Sequence, residues 1–276
     1  MAMVSADLWR GHQLAETGLI MRQLATALNL TPATGLALRP VVQHVQLPDD
    51  YLLLDVETLG YGKEVPIAQV GWGVVRARQL VNVESLLLNW LLPEYGLRQD
   101  WVRSQIERIT SEMAKKGKRY CTTVERMSHE GLDPYEVMDS YRKLINLYVD
   151  SGGMTVGHNV WAFDRIRIDH HCRQFFDETI RWRPNSIFDT GLVEKAAQSN
   201  RPPFPEETLD AYYKRINGGF SRIKWNLEEH CVTKYQLAER YGVDPSLAHD
   251  AGHDCRLTYC LFETYREIME SMYGRA

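Results

Sequence analysis

The order of apolar and polar residues divides the chain into a helical opening, a linker and a longer region in which strands precede and then alternate with helices. Up to about Leu30, the residues Leu8, Leu14, Ile20, Leu24 and Leu28 fall near helical spacing, and Leu30-Thr31-Pro32 closes the segment, which predicts an amphipathic helix. Prolines and mixed polarity from Ala33 to Asp50 predict a linker. The strand signal then starts sharply at Tyr51-Leu52-Leu53-Leu54, giving an expected division into an N-terminal helix and linker over 1–48 and a main domain over 49–276.

Further strands are expected at Pro66 to Val75 and Gln79 to Leu92, joined tightly around Arg76 as an antiparallel meander. Helices are predicted over Leu97 to Lys116 and Pro134 to Val149, followed by a short buried strand at Met154 to Gly157. Asp164 to about Phe176 reads as a helix and Ser186 to Phe188 as a strand. Helices then follow at Asp189 to Ala197, Leu227 to Tyr241 and Asp250 to Met272. Strands alternating with helices in the second half imply parallel additions to the meander, hence an α/β fold. The 199–226 stretch, with Pro202, Pro203, Pro205, Gly218 and Gly219, reads as an irregular insertion.

Composition narrows the setting. Of 276 residues, 44% are hydrophobic and 25% charged, as in ordinary globular proteins, and no apolar run is long enough to span a bilayer. Five cysteines without a Cys-x-x-Cys pair suit packing in a reduced, cytoplasmic setting better than a disulfide framework or a zinc ribbon. A net charge of −4 argues against coating long nucleic acid through a broadly positive surface. It leaves a nuclease open, since a metal-dependent site concentrates carboxylates.

Three separated segments carry the candidate chemistry. In Asp55-Val56-Glu57-Thr58 the alternation of a strand sends Asp55 and Glu57 to one side and Val56 into the core. Charges paired at the end of a buried strand are costly unless cations hold them. Asp164 follows a short strand and opens a helix, which suits either a ligand at the mouth of the sheet or an N-cap. His158 and Asn159 shape the turn before it and are candidate substrate contacts. His249 and Asp254, five residues apart, would diverge by roughly 140° on one helix, so His249 is expected in the preceding loop and Asp254 in the helix. His253 is a competing base.

Together these motifs resemble the DEDDh exonucleases of the ribonuclease H-like superfamily. Asp55-Val56-Glu57-Thr58 resembles the first motif, Ile67-Ala68-Gln69-Val70-Gly71-Trp72 the second strand, and His249-Asp250-Ala251-Gly252-His253-Asp254 the third motif. Phe188-Asp189-Thr190 and the Leu237 to Val243 stretch resemble accompanying elements. One departure stands out: from His158 to Asp164 the chain runs one residue longer than the family spacing, placing a bulge at Trp161 or Ala162. The resemblance implies a mixed five-stranded sheet flanked by helices, here with an N-terminal helical extension, and a metal-dependent 3′-to-5′ exonuclease that releases nucleoside 5′-monophosphates.

The resemblance also implies roles. Asp55, Glu57, Asp164 and Asp254 would hold two divalent cations, Mg²⁺ or Mn²⁺, because hard oxygen ligands select such ions, and His249 would act as general base. Thr58 and Leu59 would meet the terminal nucleotide, Leu59 as a wedge against its base. Basic and aromatic residues interleave around the insertion, making Tyr212, Arg215, Phe220, Arg222 and Lys224 candidate contacts to a single-stranded DNA or RNA 3′ end. The alternatives are a structure-selective endonuclease and a catalytically silent nucleic-acid-binding or scaffold protein on the same fold. No membrane partner is expected, and the N-terminal helix leaves a homodimer open.

Overall fold

A computed structural model describes residues 47–60, 62–199, 201–204, 206–219, 226–227, 231–247 and 249–273. The expected N-terminal helix, nearly all of the linker, and Phe220, Arg222 and Lys224 lie outside the described residues.

Strands β1 (Tyr51–Thr58), β2 (Ile67–Arg76) and β3 (Gln79–Leu87) form the antiparallel meander. Strands β4 (Met154–Gly157) and β5 (Ile187–Asp189) add in parallel, giving a five-stranded sheet of order β3-β2-β1-β4-β5. The third strand stops short of the predicted Leu92. Beyond Leu87 the chain leaves the ladder, and the Trp90 indole donates to Ile67 O at 2.6 Å.

One layer holds α1 (Gln99–Lys115), α2 (Val124–His129), α3 (Pro134–Asp150) and α4 (Asp164–Phe176). The other holds α5 (Thr190–Gln198), α6 (Leu209–Gly219), α7 (Val232–Tyr235), α8 (Leu237–Tyr241) and α9 (Ala251–Tyr273). The alternation along β1 divides the core between them. Tyr51 and Leu53 pack with α5 to α9, whereas Leu52, Leu54 and Val56 pack with α1, α3 and α4. Asp55 and Glu57 continue the parity of Tyr51 and Leu53, so they face the side that α9 covers.

Two predicted elements differ in the structure. The expected irregular insertion contains α6, whose Leu209, Tyr212, Tyr213 and Ile216 are all buried at helical spacing. The expected Leu227 to Tyr241 helix starts at Val232 and breaks at Gln236, whose φ is 51°. Tyr235 and Leu237 would lie roughly 200° apart on a continuous helix, and the break lets both enter the core. The short α2 was not anticipated; Thr123 caps it by accepting from Arg126 N at 3.1 Å. All five cysteines are free thiols, four of them buried.

Candidate active site

The sheet and the two layers converge on the end of β1. Asp55 lies opposite Gly71 in the ladder, and Glu57 opposite Gln69, immediately before a register shift at Thr58. Gly71 is where α9 begins to press on the sheet: a Cβ there would sit 2.4 Å from the backbone carbonyl carbon and oxygen of Ala251. Glycine on the strand and the fully buried Ala251 on the helix together let the start of α9 reach the carboxylates of β1. Behind the strand, the Tyr141 hydroxyl donates to Gly71 O at 3.0 Å.

The first turn of α9 is fixed from two directions. Asp250 accepts from His253 N at 3.0 Å, capping the helix. Gln69, 3% exposed on β2, donates to Asp250 Oδ2 at 3.1 Å and to Ser85 Oγ at 3.1 Å, and accepts from Ala251 N at 3.1 Å. His249 precedes the helix with φ 64°, a left-handed backbone rarely adopted by a residue with a side chain. That conformation turns its amide toward Asp254 Oδ2 at 3.3 Å and its Nδ1 toward Glu57 Oε1 at 3.4 Å. The third motif thus divides as expected, with His249 in the loop after the short Pro245–Leu247 turn and Asp254 in the helix.

One ligand atom each from Glu57, His249 and Asp254 lie within 4.8 Å of one another, a separation that a cation can bridge. Asp164 joins from the opposite layer, its Oδ1 accepting from Val56 N at 2.8 Å. Burial pushes its carboxyl up to about 7, with the charges of Asp189 and Glu57 adding to the effect. Asp55, Asp254, Asp164 and Asp250 all act on the buried Cys255 thiol, which burial first and then these charges hold well above its usual range. Glu57 and Asp254 thus meet His249 at the end of β1, Asp164 lies against the same strand at Val56, and Asp55 shares the strand parity of Glu57. His253, the competing base, points elsewhere and is governed by burial and by Asp250 and Asp244.

The remaining expected contacts fare differently. Thr58 turns its hydroxyl to Gly60 O at 2.8 Å. Leu59, expected as a wedge, is fully buried in the core beside α1 and presents no face to a base. Tyr212 is likewise fully buried, its hydroxyl donating to Arg201 O at 3.0 Å, because it belongs to the apolar stripe of α6. Arg215 engages Glu207 through Nε at 2.9 Å and Nη2 at 2.7 Å and lies over the Phe204 ring, so it braces the 202–207 segment.

The longer His158 to Asp164 segment is absorbed without a strand bulge. Asn159 takes φ 66°, and Phe163 N donates to Asn159 O at 2.9 Å. Asp189 gathers this turn, accepting from Asn159 N at 3.0 Å and Trp161 N at 2.8 Å while also capping α5 through Leu192 N at 2.9 Å. His158 Nδ1 lies 3.0 Å from Thr190 Oγ1.

Sequence reasoning gave no role to Gln69 or Asp189. Each carried a signal: a polar residue at a buried point of a strand, Gln69 between Ala68 and Val70, and Asp189 directly after Ile187 and Phe188.

Solved structures share this fold. The fold is that of exonuclease I. One exonuclease I structure matches with a TM-score of 0.52 at 18% identity, covering 81% of this chain and 41% of its own. E. coli exonuclease I in complex with a dA16 oligonucleotide matches at 0.51 and 18%, covering 80% and 42%, and an ExoI/SSB-Ct complex matches at 0.52 and 16%, covering 83% and 42%. This chain spans about two-fifths of the length of these solved chains. No protein-family model matches the sequence, and no curated protein is similar enough to count as a relative. The likeness establishes the ribonuclease H-like α/β fold. Among the described residues, no helix is long and apolar enough to cross a membrane.

Proposed function

We propose that this chain is a metal-dependent 3′-to-5′ exonuclease of the DEDDh type that releases nucleoside 5′-monophosphates from single-stranded ends. The observation that carries the reading is the convergence of Glu57, His249 and Asp254 within 4.8 Å at the end of β1. Asp164 stands on the adjacent backbone amide. The solved complex of exonuclease I with dA16, on the same fold, supports a single strand as substrate.

The donor set fits divalent cations. Clustered carboxylates raise one another's affinity for protons, and a cation relieves that repulsion. Asp55, Glu57, Asp164 and Asp254 would hold Mg²⁺ or Mn²⁺, chosen by hard oxygen donors. When bound, the ions would supply Lewis-acid stabilisation of the charge that develops on the phosphate.

The chain's own residues do the rest. Glu57 holds the His249 ring through Nδ1, which orients it to accept a proton from the attacking water. The Asp254 carboxylate fixes the His249 backbone, so base and ligand move as one unit. Asp189 keeps the turn before Asp164 closed, leaving Asp164 facing β1.

End-labelled and circular single strands, each as DNA and as RNA, test the reading with and without Mn²⁺. Stepwise shortening from free 3′ ends only, lost in Asp55→Asn, is expected. Cutting of circles would make the chain an endonuclease, and binding without cleavage would make it a scaffold.

A further inference from the structure

A second feature lies apart from the carboxylates. A cavity of about 500 Å³ opens between the β1–β2 loop, the segment leading into α1 and the middle of α4. Pro66, Trp90, Tyr95, Trp101 and His171 line it. Trp90 and Tyr95 meet edge to face with centroids 5.4 Å apart, and Trp101, 37% exposed, leaves an indole accessible. The walls are therefore largely flat and aromatic.

His171 supplies the polar group. The residue is 1% exposed, and its Nδ1 lies 2.9 Å from Arg167 O. A carbonyl only accepts, so the proton of the neutral ring sits on Nδ1 and Nε2 presents a lone pair. Burial pulls its pKa down to about 4, keeping the ring neutral near pH 7. Nε2 meets no hydrogen-bond donor among the described residues. The exposed Gln174 adds an amide to the lining, Glu64 adds a carboxylate that lies 3.9 Å from the Lys63 ammonium, and Arg98 adds a guanidinium that pairs with no acid among the described residues.

Flat apolar walls, a fixed acceptor that calls for an N–H donor and a cationic neighbour match a nucleobase attached to its phosphate. An aliphatic chain would leave the His171 lone pair unmet, which costs free energy in a buried site. The position also fits a strand. Pro66 O accepts from Leu59 N at 3.0 Å, so the cavity wall is the loop that leaves Glu57 and Thr58. On α4, His171 stands seven residues after Asp164, on the same helix face and about 10 Å along its axis.

We propose that this cavity takes one unpaired base of the strand, upstream of the end held by the carboxylates, with the base against Trp101 and its N–H on His171 Nε2. The proposal rests on the exonuclease reading for its substrate. Arg98 neutralises the attached phosphate, and the cavity gives the enzyme a grip on single strands that a paired base, engaged with its complement, does not satisfy.

The test uses Asp55→Asn protein without added divalent cation and 5′-labelled oligothymidylate in which one abasic residue is walked inward from the 3′ end. Binding is followed by fluorescence anisotropy. At one interior position the abasic residue is expected to weaken binding roughly tenfold, the size of one base-on-aromatic stack. Adding Trp101→Ala should erase that positional penalty and leave the other positions unchanged. Gln174→Ala, also at an exposed residue, should reduce it a few-fold.

Equal binding at every position, or a penalty that survives Trp101→Ala, overturns the proposal. So does displacement of the strand by free thymidine 5′-monophosphate at comparable affinity, which would make the cavity a mononucleotide site. If wild type cuts no strand yet the Trp101-dependent penalty is present, the nuclease reading falls and the cavity stands. Cleavage without any positional penalty does the reverse, removing the cavity from strand binding while the nuclease reading stands.

Discussion

Reversing the polarity of the hydrogen bond between Gln69 and Asp250 tests whether the start of α9 sets the site. In the native chain Gln69 Nε2 donates to Asp250 Oδ2 and Gln69 Oε1 accepts from Ala251 N, each at 3.1 Å. Gln69→Glu keeps an acceptor for Ala251 N but sets a carboxylate against Asp250. Asp250→Asn keeps the cap on His253 N but places an amide where Gln69 offers its own. Each single change turns a hydrogen bond to a charged group into a clash of like groups, which at a partly buried position costs roughly 1.5–3 kcal/mol. With Gln69→Glu and Asp250→Asn combined, the new amide donates to the new carboxylate and the bond is restored with its direction reversed. Both single variants should therefore lower kcat about tenfold or more with little change in KM, weaken Mn²⁺ binding by calorimetry and lower Tm. The double variant should recover most of each, with a coupling on the order of 1 kcal/mol or more. Additive losses in the double variant would refute the idea that this bond positions His249 and Asp254.

Three further outcomes follow from the same geometry. Gly71→Ala should cost about 1–3 kcal/mol of unfolding free energy in denaturant titrations and should also lower kcat, because its Cβ would drive the Ala251 backbone away from β1; an unchanged kcat would show that α9 need not sit so close. Saturating Mg²⁺ or Mn²⁺ should raise Tm of the wild type and raise it far less in Asp55→Asn, as scanning calorimetry would show. The metal-free protein should lose stability as pH rises from about 4 to about 7. Asp164 has a folded pKa raised above its unfolded value, so over that window the folded state holds more protons than the unfolded one. Asp164→Asn should flatten this slope and raise the metal-free Tm at pH 7, and a slope unchanged in the variant would assign it to another group.

The sheet and most helices were legible because their signals are local and repeated. The leucines before Asp55 alternate between two cores, and Met154 to Gly157 and Asp164 to Phe176 match the observed β4 and α4. Elements governed by distant partners were not. The prolines near residue 202 hid α6, although Leu209, Tyr212, Tyr213 and Ile216 keep helical spacing. No local residue announces the break at Gln236; it serves the burial of Tyr235 and Leu237 against other helices. Tyr212 lies in the core rather than on a groove for a related reason. Interleaved aromatic and basic residues have the same composition whether they line a groove or pack an α-helix, and only burial separates the two.

The two buried aspartates at the end of the sheet show why composition and order could point to a candidate site yet could not apportion it. Asp164 and Asp189 are both buried, both begin helices, and burial raises the pKa of both. Their donors differ. Asp189 accepts from three backbone amides, those of Asn159, Trp161 and Leu192, which offset part of the cost that burial places on its charge. Asp164 has one amide from another element, that of Val56, and looks toward Glu57. A carboxylate so buried and so sparsely donated to is held at a cost that only a proton or a cation relieves. The extra residue between His158 and Asp164 belongs to the other aspartate: it lengthens the turn whose amides Asp189 collects. The extra residue thus falls on the scaffold that Asp189 holds, and Asp164 still reaches Val56 N on β1.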